Sequence, residues 1–170
     1  RYLISNWGDG ALVQIDSLGN QKYFSDTLLN KFKVAGLYIY GDTLLAAAGD
    51  APNAGIIGFN LNTDKQIFHI VLPDIGLPND ITSDENGYIY VTDYWGDKLY
   101  KIVNRVPSII IQDGLNYPNG LFYDKNNDRL LILSVMGEGA PILSLDLKNS
   151  SLTILIKTGL VGGTDGITMD

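Results

Sequence analysis

The chain has 170 residues, with 19 acidic side chains against 12 basic ones and a formal net charge of −7. An apolar share of 45% with 18% charged residues describes a globular chain long enough to bury one sizeable core, not a disordered one. There is no apolar run of the roughly 18 residues a membrane helix needs, and the only short basic stretch, Lys31 to Lys33, is no footprint for nucleic acid. The absence of cysteine excludes disulfides, thiolate metal sites and cysteine nucleophiles, and leaves the cellular compartment open.

Of the acids, 17 are Asp and only Glu85 and Glu138 are Glu; Asp, Asn and Gly together make 50 residues. Asp and Asn bond their own backbone in turns and Gly supplies positive φ, so this composition predicts many tight turns rather than helices. Apolar runs of four to seven residues follow in chain order. Tyr2 to Ser5 and Ala11 to Asp16 come first, and Ser25 to Lys33 could form one short helical turn capped by Ser25 or Asp26. Thr43 to Ala48, Gly55 to Asn60 and Gln66 to Leu72 follow. Next are Tyr88 to Thr92, Lys98 to Val103 and Ser108 to Gln112, and last Arg129 to Ser134, Pro141 to Leu147 and Leu152 to Lys157. Asn86-Gly87 between Ile81 and Ile89 predicts a hairpin with a type I′ turn.

An internal repeat orders these runs. Val34-Ala35-Gly36-Leu37, Pro78-Asn79-Asp80-Ile81, Pro118-Asn119-Gly120-Leu121 and Thr164-Asp165-Gly166-Ile167 begin alike, at spacings of 44, 40 and 46 residues. Each of the first three is followed by three further apolar runs, and Trp7-Gly8-Asp9 echoes Trp95-Gly96-Asp97. Four strands per repeat of this length is the signature of a β-propeller blade. The predicted fold is therefore all-β, a propeller of four-stranded antiparallel blades. A blade remnant is expected at about 1–30, blades at about 34–73, 78–113 and 118–158, and the start of another at 164–170. Both ends look cut, which favours a piece of a larger ring over a closed four-bladed one completed by the strand Gly166 to Asp170.

In a propeller the first strand of each blade is innermost, so equivalent repeat positions converge on one axis. Here that position holds Ala35, Asn79, Asn119 and Asp165. Oxygen-bearing side chains brought to one point suit a hard divalent cation such as calcium; the alternative is that Asn and Asp merely cap loops entering the strands. One carboxylate and two amides carry little charge, so a further acid is expected from another blade.

Pro78-Asn79-Asp80-Ile81 with Asn86-Gly87-Tyr88-Ile89-Tyr90-Val91-Thr92-Asp93 resembles the senescence marker protein/gluconolactonase (regucalcin-like) family, as do Pro118-Asn119-Gly120-Leu121 and Asp165-Gly166-Ile167. The resemblance implies a six-bladed propeller with calcium in its channel that hydrolyses small-molecule lactones or related esters. It makes Asn119 and Asp165 metal ligands and Asn79 a ligand or a substrate contact. Asp165 would also serve catalysis, and Asp80 is a candidate for an acid supporting the ligands from behind or for the catalytic acid, with a turn role as the alternative. Two departures bear on substrate. Leu77 stands where gluconolactonases place an arginine, and the only histidine, His69, belongs to an outer strand, where it is structural. Asp124-x-Asn126-x-Asp128 reads as a hairpin turn, since Arg129 and Val135 replace the Gly and Glu of a calcium loop. Tyr94-Trp95 and Trp7 fit either a channel mouth or packing between blades. A non-catalytic binding propeller is the rival function.

Overall fold

The computed structural model describes residues 1–25, 31–49, 52–136, 138–159 and 164–168. Fifteen strands and no helix occur among them. They are β1 (Tyr2–Ser5), β2 (Leu12–Ile15), β3 (Gln21–Ser25), β4 (Val34–Tyr40), β5 (Thr43–Ala48), β6 (Gly55–Asn60) and β7 (Gln66–Val71). After these come β8 (Pro78–Ser83), β9 (Ile89–Asp93), β10 (Lys98–Val103) and β11 (Val106–Ile111), then β12 (Pro118–Asp124), β13 (Arg129–Ser134), β14 (Pro141–Asp146) and β15 (Leu152–Lys157). Within each sheet, strands that are neighbours in sequence pair in space. One three-stranded sheet, β1-β2-β3, precedes three four-stranded sheets, β4 to β7, β8 to β11 and β12 to β15. Each of the first three copies of the repeat motif thus opens one four-stranded antiparallel sheet. The proposed helical turn falls largely on residues outside the described ones; Ser25, its first residue, ends β3.

The chain divides into two compact units, Arg1–Pro78 and Asn79–Asp170. In the first, Leu12, Phe24, Val34, Leu44, Ile57 and Phe59 form a core between two sheets, and the Phe24 and Phe59 rings meet edge to face at 6.0 Å. In the second, Tyr90, Leu99, Leu115, Leu121, Leu130 and Ile132 do the same. Continuous apolar runs such as Leu130 to Leu133 are buried on both faces, as strands in stacked sheets must be. Small residues are required where layers close up. A Cβ on Gly58 would stand 2.3 Å from the Phe68 ring, and one on Gly55 would stand 2.0 Å from the carbonyl oxygen of Ile70.

The Asp and Asn side chains do act mainly in turns. Asp16 accepts the amides of Leu18 and Asn20 at 2.8 and 2.9 Å, Asn60 those of Asn62 and Thr63 at 3.0 Å, and Asp146 that of Lys148 at 2.8 Å. The hairpin at Asn86-Gly87 is present, but its predicted turn type is wrong. Only Gly87 adopts positive φ, at 76°, because Asp84 widens the turn by accepting the amides of Asn86 and Tyr88, both at 2.9 Å. The two-residue turn with both φ positive is instead Asn104-Arg105, at 51° and 66°, where Val103 and Val106 pair across β10 and β11. β11 accordingly starts before the predicted Ser108. Pro107 is tolerated there because β11 is an edge strand.

The turn at 124–128 is a hairpin as read, with Asp124 and Arg129 paired. Asp124 is buried, and its Oδ2 accepts from Asn127 Nδ2 and Arg129 Nε, both at 2.7 Å. Burial works against the charged form, but those hydrogen bonds and the Arg129 charge outweigh it and hold the carboxyl below 3.8. The stability this carboxylate contributes is therefore complete above the unfolded value and is lost as pH falls through the depressed folded one. Arg129→Ala is expected to move the acid-unfolding midpoint to higher pH, and Asp124→Asn to flatten that arm of the profile, both read by circular dichroism against pH.

Candidate functional site

The first strands β4 and β12 carry the same irregularity at the repeat motif. On β12, Pro118 pairs with Ser134 and Leu121 with Ile132, so Asn119-Gly120 bulges from the ladder. On β4, Val34 pairs with Ala48 and Leu37 with Ala46, leaving Ala35-Gly36 in the same position. A bulge frees backbone groups that must find other partners. Hydroxyls of the preceding sheet supply them. Thr92 Oγ1 on β9 donates to the Asn119 carbonyl at 2.9 Å, and Ser5 Oγ on β1 donates to the Ala35 carbonyl at 2.6 Å.

Asp80 completes the junction in the second unit. Its Oδ2 accepts the amide of Leu121, across on β12, at 2.8 Å, and its Oδ1 accepts the amide of Ile81 at 2.8 Å. Its own amide donates to Thr92 Oγ1 at 2.9 Å. Thr92 thus links β8 and β12, with Asp80 bridging the same two strands through its carboxylate. The simple turn role weighed for Asp80 is replaced by this bridge between neighbouring sheets. Thr92 was invisible in the sequence, where a β-branched residue in Val91-Thr92-Asp93 reads as ordinary strand filling.

Asp165 lies against the same bulge. A Cβ on Gly120 would stand 2.4 Å from the Asp165 carbonyl oxygen and 2.8 Å from Leu133 Cδ1, so glycine lets the fourth motif copy pack onto the third. Thr164 Oγ1 donates to the Ser134 carbonyl at 3.4 Å, at the end of β13. Residues 164–168 form no strand. This departs from the predicted first strand Gly166 to Asp170, and the physical reason is the lack of a ladder partner among the described residues. Residues 169 and 170 lie outside them.

The site is electrostatically uneven. Burial, chiefly, and the negative charge of Asp165 push the Asp80 carboxyl above 3.8, against the two amide hydrogen bonds that would lower it. Asn79 and Asn119 are half-buried and Asp165 is exposed. Among the described residues, the side chains of these three make no hydrogen bond. Two free amide oxygens and a free carboxylate are the hard oxygen donors a calcium ion takes. No group of three or more His, Asp or Glu side chains placed to hold a metal occurs among the described residues, so any cation here depends on the amides. A cavity of about 260 Å³ bordered by Asn116, Pro141, Leu143, Leu152 and Ile154 lies over the outer strands β14 and β15, and none of the candidate residues lines it. His69 sits on β7, its Nε2 3.0 Å from the Asn53 carbonyl oxygen and its ring edge to face with Phe32.

Solved structures of other proteins are similar to this chain. Over 99% of this chain and 65% of the other, it is similar at TM-score 0.80 and 18% identity to a chain in the crystal structure of the nidogen/laminin complex. The fold is a β-propeller. A second propeller similar to it is selenomethionine-substituted virginiamycin B lyase from Staphylococcus aureus, at TM-score 0.69 and 18% identity over 89% of this chain and 50% of that one. The chain spans about two thirds and one half of the propellers it matches. No family model matches this propeller, and no curated protein does.

Proposed function

We propose that the chain belongs to a calcium-dependent hydrolase of small-molecule lactones or related esters, of the regucalcin-like gluconolactonase type. The observation that carries this reading is the junction at the repeat motif, where Asp80 bridges to Leu121 beside Asn119 while Asp165 packs on Gly120. On this reading repeat positions 40 and 46 residues apart meet at that junction; what supports it is that, among the described residues, the side chains of Asn79, Asn119 and Asp165 make no hydrogen bond. Asn79, Asn119 and Asp165 would hold the ion. Calcium bound there supplies a Lewis acid for the carbonyl of the scissile ester. Asn79 also orients the substrate, and the Asp165 carboxylate, exposed and unpartnered, is the group placed to accept a proton. Asp80, both of whose oxygens are occupied by backbone amides, keeps the Asn119 bulge in position. Its raised affinity for protons suits a half-buried acid beside a second negative charge.

A non-catalytic binding propeller remains the second reading. It is favoured by the same hydrogen bonds, since the Asp80 and Thr92 contacts would brace the sheets in a scaffold too. The readings separate on Asp165→Asn, which preserves volume and removes the charge of that carboxylate. Calcium affinity is expected to fall at least about tenfold through the lost Coulomb attraction, and ester hydrolysis with it, while the melting temperature stays put. Asn119→Ala should act the same way more mildly, and His69→Ala should leave turnover unchanged. Calorimetric calcium titration with a parallel hydrolysis assay decides. Unchanged calcium affinity in Asp165→Asn removes the metal assignment and leaves the scaffold.

A further inference from the structure

Two residues before Asn119, the backbone does something unusual. Asn116 and Tyr117 both adopt left-handed φ, at 58° and 60°, without being glycine. Such strain persists only where surrounding bonds over-determine it. Here Asp97 does so, accepting the amide of Gly114 at 2.8 Å and that of Tyr117 at 3.0 Å through its two oxygens. At the other end of the same loop, the buried Asp93 accepts the amide of Gly96 at 2.9 Å. Two carboxylates thus bracket Tyr94-Trp95-Gly96 and fix it against Tyr117.

The result is three aromatic rings in mutual contact: Tyr94 and Trp95 at 5.0 Å, Tyr94 and Tyr117 at 5.4 Å, Trp95 and Tyr117 at 6.2 Å. Packing between sheets would account for rings that end up buried. These do not: Trp95 remains 64% exposed and Tyr117 39%. Met136, 68% exposed, donates its amide to the Asn116 carbonyl at 3.2 Å, one residue before Tyr117. In the equivalent position of the first unit, Trp7 is covered by the Lys33 ammonium at 5.2 Å. The second unit replaces that cation by Tyr117 and leaves an uncharged aromatic surface. Two residues span at most about 7 Å, so Tyr117 stands beside Asn119.

We infer that Tyr94, Trp95 and Tyr117 form a preorganised platform that binds a flat aromatic or unsaturated ring of the substrate, whose ester carbonyl then lies at Asn119 and Asp165. This rests on the hydrolase reading for the second half alone; the platform itself binds rings whether or not hydrolysis follows. Rigid rings held before binding give affinity because little entropy remains to be lost, and aromatic contacts prefer the edge-to-face and offset geometries these rings offer.

The test uses the protein with two probes, acetanilide as an aromatic amide that mimics an aryl ester and N-methylacetamide as its ring-free counterpart. Binding is followed by ligand-observed NMR, and turnover is measured on phenyl acetate and ethyl acetate. Trp95→Ala should weaken acetanilide binding about tenfold and raise KM for phenyl acetate with kcat unchanged, while ethyl acetate turnover is unaffected. Trp95→Phe should restore most of the affinity. If the protein hydrolyses neither ester, the acetanilide arm still reads the platform alone. Failure of the protein to bind acetanilide, affinity unchanged in Trp95→Ala, or equal losses for the ring-bearing and ring-free probes would each overturn the inference.

Discussion

Gly120→Ala is expected to destabilise the protein by about 1–3 kcal/mol, the usual range for forcing a methyl group into a filled site. The added Cβ would sit 2.4 Å from the Asp165 carbonyl oxygen and 2.8 Å from Leu133 Cδ1. A leucine methyl can turn aside, but a backbone carbonyl moves only with its segment. Residues around Asp165 must therefore shift away from β12, which also separates Asp165 from Asp80 and Asn119. The control is built into the repeat. Gly166 occupies the same motif position one copy later, and a Cβ there meets nothing within 4 Å, so Gly166→Ala should be within about 0.5 kcal/mol of the parent. Urea denaturation of both variants checks the contrast. Equal stabilities would mean that the fourth motif copy does not pack on the third.

Asp80→Ala should cost about 2–3 kcal/mol, because the Leu121 and Ile81 amides lose charge-assisted partners held at 2.8 Å. Asp80→Asn keeps one acceptor oxygen and sheds the penalty of burying a charge, so it should lose less than the alanine variant. The two substitutions also separate roles. If Asp80 only positions the bulge, Asp80→Asn retains calcium binding and most activity, whereas a catalytic acid would lose turnover in both. Chemical denaturation with a hydrolysis assay on the pair distinguishes these outcomes.

The strands were legible because burial on both faces forces continuous apolar runs, and because the motif recurs at 40 to 46 residues. The shared register of Asn79, Asn119 and Asp165 was legible too, and it is what motivates the proposed ion site. What stayed hidden depends on bonds made at a distance in sequence. Thr92 is 27 residues from the carbonyl it bonds, and nothing about a threonine in a strand announces that partner. The bulge at Asn119-Gly120 was equally silent, since an Asn-Gly pair reads as turn chemistry. Turn types failed for a local reason: Asp84 reshapes the turn at Gly87, while Arg105 is carried into positive φ by the tight connection between β10 and β11. The pattern predicted a strand from Gly166 to Asp170, and over its described part, 166–168, pattern alone cannot supply the neighbour a ladder requires.

The most direct test of the proposed metal site is a crystal structure of the protein grown with calcium, with anomalous scattering used to place the ion. The account predicts one ion with the side-chain oxygens of Asn79, Asn119 and Asp165 at about 2.3–2.6 Å. An ion bound elsewhere, or any two of those side chains more than roughly 10 Å apart, too far for oxygens to share one ion at such distances, would contradict it.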